Sequence, residues 1–338
     1  MSKWQLVKLD FKNNPAHFGE LGIGMEETSE RARSDTLFSA LVISYARLGK
    51  NVDTLLQRFH QEEVPFRLSS SFIYREQDSK TTYFLPRPKH FPTNYPIGDD
   101  LKIAKDYKKI NFLDLATWKS WYQNGGFDQD AKLPENSYSK CFEIDKQPKV
   151  AIDRNTRATN LYHTSFVRYL SNPKDKSGLY FLIEFHDPSL ENDFNDLKAA
   201  LEILGEEGLG GERSSGAGQF EPSWHDLDEQ WQKLIDFELK GDFQSLISLY
   251  WDDELIALEN SSYELQERGG WITSSAKNQR RKKVIMFAEG SVFQEIPKGK
   301  LADVTPYDPK GNKLSPHNVY RSGIALSLPI KIDVKESS

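Results

Sequence analysis

Between Gly208 and Phe220 the chain sets five glycines, Gly208, Gly210, Gly211, Gly216 and Gly218, around Arg213, Ser214 and Ser215. Glycine lets a backbone approach a ligand closely. Amides joined by a guanidinium and two hydroxyls suit an anionic backbone such as that of a nucleic acid. The same glycines would also suit a loop that only has to turn. The familiar nucleotide-binding loops are excluded, because they run from strand to helix with phosphate at the helix N-terminus. Here a helical pattern precedes the glycines and a strand-like one follows.

His17, between Pro15 and Glu20, has the chemistry of an acid/base or a nucleotide contact, or of a purely structural imidazole; nothing adjacent supplies a second catalytic group. Lys149, Arg154 and Arg157 lie near Leu161, Tyr162, His163 and Phe166. Guanidinium groups with aromatics suit phosphate contact and base stacking, and a hairpin with an exposed basic rim uses the same residues. A second basic run, Lys277 to Lys283, reads as the solvated tip of a hairpin. Ile97-Gly98-Asp99-Asp100 resembles the acidic pair of nucleotide polymerases, but Asp99, ahead of a helical pattern, reads as a helix cap. The histidines are scattered and Cys141 is the lone cysteine, so no metal-ligand spacing occurs; neither metal nor cofactor is expected.

These groups need elements to position them. Val7, Leu9 and Phe11 alternate as a strand, and a helix capped by Ser34 runs through Leu37, Phe38, Leu41 and Tyr45 to Gly49. Phe66 to Tyr74 reads as a strand, with Thr81 to Leu85 as its hairpin partner. Residues 86–176 read as an insertion with short helices near Leu101–Tyr107 and Leu113–Trp121. Leu179 to Phe185 is a buried strand. A helix carrying Phe194, Leu197, Leu201 and Leu204, capped by Asp193 and stopped by Gly205, leads into the glycine loop and a strand from Gln219 to Trp224. This β-α-β-β-α-β order predicts an α+β, ferredoxin-like domain over 1–228. A second unit over 236–338 carries strand candidates at Phe243–Tyr250, Tyr263–Ile272, Val284–Ala288 and Ile324–Ile330.

A formal charge of −6 argues against indiscriminate coating of nucleic acid, so any such contact needs a local basic patch. No apolar run is long enough to span a membrane, and the N-terminus lacks a signal-type apolar region, so a reducing, intracellular setting is expected. Most of Trp118, Trp121, Trp231, Trp251 and Trp271 are expected in cores, the others at interfaces.

Taken in order, His17-Phe18-Gly19-Glu20, the Ser34–Leu41 segment, Ile152–Arg157 with Leu161-Tyr162, the Gly210–Gly218 loop and Tyr320-Arg321-Ser322-Gly323 resemble the RAMP superfamily of CRISPR proteins. Within it, nearly the whole chain is most similar to the fourth-subunit family of the type III-A Csm effector complex. That resemblance implies two ferredoxin-like (RRM-like) domains, a glycine-rich loop on the RNA-facing side and a hairpin insertion acting as a thumb. It implies a non-catalytic, cytoplasmic subunit for antiviral defence that caps the complex and grips the 5′ handle of the CRISPR RNA. Its expected protein partners are the large polymerase/HD-type signature subunit and the first backbone RAMP subunit. The RNA contacts it implies are His17, Arg33, Arg154, Arg157, Gly210, Gly211, Arg213, Ser214, Ser215, Gly216 and Gly218. Gln219 stands where many relatives carry a basic residue and Glu212 adds a negative charge, so amides and hydroxyls are expected to outweigh charge in this loop. Other members of the superfamily cut RNA with histidine-centred chemistry, which makes a metal-independent endoribonuclease centred on His17 the alternative.

Overall fold

Alternating apolar residues and helical stripes give, in chain order, β1 (Lys3–Asp10), α1 (Ser34–Arg47), α2 (Val52–Arg58), β2 (Phe66–Leu68), β3 (Phe72–Gln77), β4 (Lys80–Pro86), α3 (Leu101–Lys109), β5 (Phe112–Asp114) and α4 (Leu115–Lys119). There follow β6 (Phe142–Ile152), β7 (Thr159–Tyr169), β8 (Ser171–Asn172), β9 (Asp175–Phe185), α5 (Glu191–Glu207), β10 (Glu221–Asp226) and α6 (Glu229–Ile235). The C-terminal part contributes β11 (Phe243–Leu246), β12 (Leu265–Arg268), β13 (Trp271–Ile272), β14 (Gln279–Arg280), β15 (Val284–Phe287), β16 (Val292–Phe293), β17 (Leu301–Asp303), β18 (Tyr320–Ser322) and β19 (Ser327–Ile330). The structure, a computed structural model, describes residues 3–332 apart from 20–23, 25, 62–63, 97–100, 128–136, 187–190, 238–242, 255 and 273–278.

The main sheet is antiparallel, in the order β10-β1-β9-β3-β4-β5, with β2 and β8 also paired to β9. Leu179, Phe181 and Ile183 of β9 face α1 and α5, meeting Leu37, Leu41, Leu197, Leu201 and Leu204. Period two turns Tyr180 and Leu182 to the other face, where they join Leu6 and Phe72. A strand buried on both faces reads as an unbroken apolar run. Each large apolar side chain fully removed from water there contributes on the order of 2 kcal/mol.

The second face is covered by Trp118, Trp121 and Tyr122, by Trp231 and Leu234 of α6, and by Phe243, Ile247, Leu326, Leu328 and Ile330. Residues 86–176 therefore serve three places. β5 extends the main sheet beside β4. α4 packs beside β4 and β5, and the π-helical turn Ser120–Asn124 docks on β19 and α6, where Gln123 donates to the carbonyls of Leu234 (2.8 Å) and Pro329 (2.9 Å). β6 and β7 pair into a separate ribbon. Ile324, Leu326, Leu328 and Ile330 are all buried, as their alternation predicts.

Several expectations change. Arg33, not Ser34, occupies the cap position of α1 without a side-chain cap bond; the Ser34 hydroxyl instead accepts the amide of Leu249 at 2.9 Å. α5 does not stop at Gly205, which is needed within the helix because a Cβ there would lie 2.5 Å from the Phe220 carbonyl oxygen. The turn comes at Gly208, with φ +91°. The run from Phe66 to Tyr74 is interrupted at Ser69–Ser71, where the Ser70 amide donates to Ile247 at 2.8 Å, so it forms β2 and β3. Among the described residues of 243–330 there is no helix, where a second βαββαβ unit would carry two. Asp99 and the side chain of Asp193 lie outside the described residues.

Candidate nucleic-acid interface

The glycine loop is built first of all for close packing. A Cβ at Gly210 would lie 2.3 Å from the His17 carbonyl oxygen, and one at Gly218 would lie 2.2 Å from that of Leu209. The Gly211 amide donates to His17 (2.8 Å), that of Gly218 to Pro15 (2.7 Å) and that of Leu209 to Gly218 (2.8 Å). The Ser215 and Gly216 amides close a single tight turn on Glu212 and Arg213, and the Ser215 hydroxyl donates to the Glu212 carbonyl at 2.8 Å. These groups are thus engaged within the protein. Arg213, Ser214, Ser215 and Gly216 form the exposed tip.

His17 is buried, and its Nδ1 lies 2.8 Å from the carbonyl oxygen of Ser165 on β7. A carbonyl only accepts, so Nδ1 carries the proton and Nε2 is left on the side of Gly19. His17 therefore joins the loop to the β6–β7 ribbon. Glu212 is not a bare charge, because Lys149 of β6 pairs with it while its ammonium lies 5.1 Å from the Phe166 ring centroid. Gln219 donates to the Glu206 carbonyl at 2.9 Å, which helps satisfy the end of α5. Lys149→Ala should lower unfolding stability by no more than about 1 kcal/mol, since the pair is partly solvated. It should also speed amide hydrogen exchange in the ribbon, read by mass spectrometry; a much larger loss of stability would make the pair a pillar of the fold.

Arg154 and Arg157 occupy the exposed ribbon tip, where the Asp153 carboxylate accepts the amides of Asn155 (2.8 Å) and Thr156 (2.7 Å) and Arg157 adopts φ +58°. They do not line the cleft that gathers the other candidates. That cleft, of about 310 Å³, lies between the loop and the C-terminal strands. His17, Gly210, Gly211 and Arg213 form one side, and Arg31, Arg33, Arg268, Trp271, Arg281 and Arg321 much of the rest.

Two buried carboxylates hold these arginines. Asp35 accepts from Arg268 Nε at 2.9 Å and Nη2 at 3.0 Å, and also pairs with Arg321. Glu289 accepts from Arg31 at 3.1 Å and pairs with Arg33 and the Ser70 hydroxyl. Burial opposes ionisation of both acids, yet the guanidinium groups outweigh it and hold each well below the usual carboxylate range. The balance tips the other way for two of the arginines around Asp35. Arg321 is lowered by burial and by Arg268 despite its pairing with Asp35, and Arg281 is brought down to about 10 by burial and by repulsion from Arg321. One carboxylate cannot compensate three guanidinium groups, so this end of the cleft favours an anion.

Arg33 is thus committed to Glu289 at the edge of the cleft. The Lys277–Lys283 run is not simply solvated, because Arg281 turns into the cleft. Of the five tryptophans, most of which are expected in cores, Trp271 is 45% exposed. Sequence reading overlooked Arg31, Arg268 and Arg281 as site residues; Arg321 was visible only as part of a motif. Among the described residues lining the cleft, no carboxylate, lysine or second imidazole accompanies His17. Among the described residues, too, no group of His, Cys, Asp and Glu could hold a metal ion. Among the described residues no helix is long and apolar enough to cross a membrane.

Residues 239–330 match the CRISPR Csm4 C-terminal domain family. The CRISPR system protein Csm4 of Methanocaldococcus jannaschii is 27% identical, covering 94% of this chain and 95% of that protein. Its counterpart from Streptococcus thermophilus is 28% identical over 90% and 93%. Two solved structures share the fold. A crystal structure of a Csm3-Csm4 subcomplex of the type III-A CRISPR-Cas interference complex aligns with TM-score 0.64 and 20% identity, covering 97% of this chain and 100% of that one. A Csm1-Csm4 cassette in complex with pppApA aligns with TM-score 0.58 and 18% identity over 98% and 99%. Agreement over most of its length with these curated relatives, a C-terminal domain match and a shared fold make the chain similar to the Csm4 proteins of CRISPR systems.

Proposed function

We propose that this chain is the Csm4 subunit of a type III-A CRISPR effector complex and that it holds the 5′ handle of the CRISPR RNA without catalysing a reaction of its own. The observation that carries this reading is the cleft in which the glycine loop faces arginines outnumbering their carboxylates, an arrangement suited to a phosphate backbone. The relatives crystallised with Csm3 and with Csm1 support a backbone subunit and the large signature subunit as its neighbours. In this reading, β1, α1, β3, β9, α5 and β10 make a ferredoxin-like unit, the β6–β7 ribbon is the thumb that presents Arg154 and Arg157, and the C-terminal strands are a second, diverged unit. The complex works in the cytoplasm. The endoribonuclease alternative has less support, because His17 Nδ1 is engaged by Ser165 and the described cleft lining offers it no acid/base partner.

Arg213→Ala tests the reading. Binding of single-stranded repeat RNA to the full chain should weaken several-fold at low salt, and the slope of log affinity against log salt should fall by about 0.7, one phosphate contact. An unchanged slope would remove Arg213 from the interface.

A further inference from the structure

At the C-terminal side of the cleft an indole stands beside the guanidinium groups that crowd Asp35. Trp271 presents a half-exposed indole on β13, and its register partner Arg280 on β14 places a guanidinium 4.8 Å from the ring centroid. Arg281 follows directly, its amide bound to the Gly270 carbonyl at 2.9 Å. Its Nε is buried, with no acceptor among the described residues, and the same holds for Nε of Arg321, a residue only 4% exposed. Buried guanidinium donors without acceptors are costly unless something arrives to accept from them. A large aromatic about half open to solvent at the same cleft is the other half of a familiar pairing, since an unpaired base stacks on an aromatic face while its phosphate meets arginine. The cleft volume lies at the small end of the range of ligand pockets, about 300–1,000 Å³, which admits a nucleotide and not a helix.

We infer that Trp271, Arg281 and Arg321 form a subsite for one unpaired nucleotide of single-stranded RNA, the base stacked on the indole and its phosphate held by the two guanidinium groups. This deepens the RNA-binding reading above and rests on it. Stacking tolerates any base, so the subsite fixes the path of the strand and leaves its sequence unread. Arg321 also serves Asp35, so the variants that test the subsite are placed at Trp271 and Arg281.

The experiment titrates the full chain with single-stranded oligoadenylate RNA over a range of salt, reading filter binding and tryptophan fluorescence. Trp271→Ala should weaken binding roughly tenfold and Trp271→Phe by no more than about twofold, because the ring and not the indole nitrogen carries the contact. Neither should change the salt slope, whereas Arg281→Gln should lower it by about 0.7. Salt-dependent binding by the unaltered chain that is indifferent to Trp271→Ala would overturn the subsite and leave the RNA reading standing. Failure of the unaltered chain to bind RNA at any salt would overturn both.

Discussion

Asp35→Ala is expected to lower the free energy of unfolding by about 3–5 kcal/mol, the usual cost of breaking a buried ion pair from one side. Asp35 is fully buried, Arg268 is 2% exposed, and the substitution leaves Arg268 and Arg321 without their carboxylate. Urea unfolding by circular dichroism checks the figure; a loss below about 1 kcal/mol would mean that water reaches the cluster. Pairing Asp35→Leu with Arg268→Met should recover part of the loss, because apolar groups of similar bulk often replace buried charges at little cost. The pH dependence has a definite sign. Asp35 and Glu289 are both depressed in the folded protein, so the unfolded chain takes up their protons first. Their contribution is complete above the ordinary carboxylate range near about 4 and is lost progressively as pH falls through and below it.

Gly218→Ala is the second large effect. The position has φ +83°, and an added Cβ would meet the Leu209 carbonyl oxygen at 2.2 Å and the Leu209 nitrogen at 2.9 Å. Both obstacles are backbone, which cannot rotate away. The left-handed conformation costs about 1–2 kcal/mol and the forced repacking about 1–3 more, a total of roughly 2–5. Gly216→Ala supplies the control, since it has the same φ of +83° but nothing within 4 Å of the added carbon. It should cost only the conformational part, about 1–2 kcal/mol. Thermal unfolding of the two variants should separate clearly. Equal losses would show that the loop yields around Gly218 and that its packing on Leu209 is soft.

The main sheet was legible because its signals are local. Alternation in β1 and β9 and the apolar stripes of α1 and α5 lie within single elements, and the order of those elements predicts the pairing. The glycine loop was legible as a loop, though not in its division of labour, because spacing cannot reveal that Gly210 and Gly218 stand against the carbonyls of His17 and Leu209. The arginine cleft was largely hidden for a different reason. Its members come from the segment before α1, from β12, from just beyond β14 and from β18, segments far apart in the chain that only the folded structure brings together. Arg281 looked like one more charge in a solvated run, and no local pattern marks which residue of such a run turns inward. The helices that the resemblance implies for a second ferredoxin-like unit are absent among the described residues of 243–330, a stretch in which neither periodicity nor capping residues call for them.

Asp35 sits at the start of the first helix, and the arginines that pair with it follow 233 and 286 residues later. At ordinary rates of translation, about 5–20 residues per second, that helix waits roughly 15–60 s for its final counter-charge to be synthesised. Until then, closing the helix onto its sheet would bury a carboxylate facing too few cations. A chain that lacks Arg321 leaves Asp35 with Arg268 but without its second guanidinium, and should therefore close its N-terminal half less firmly than a chain carrying both.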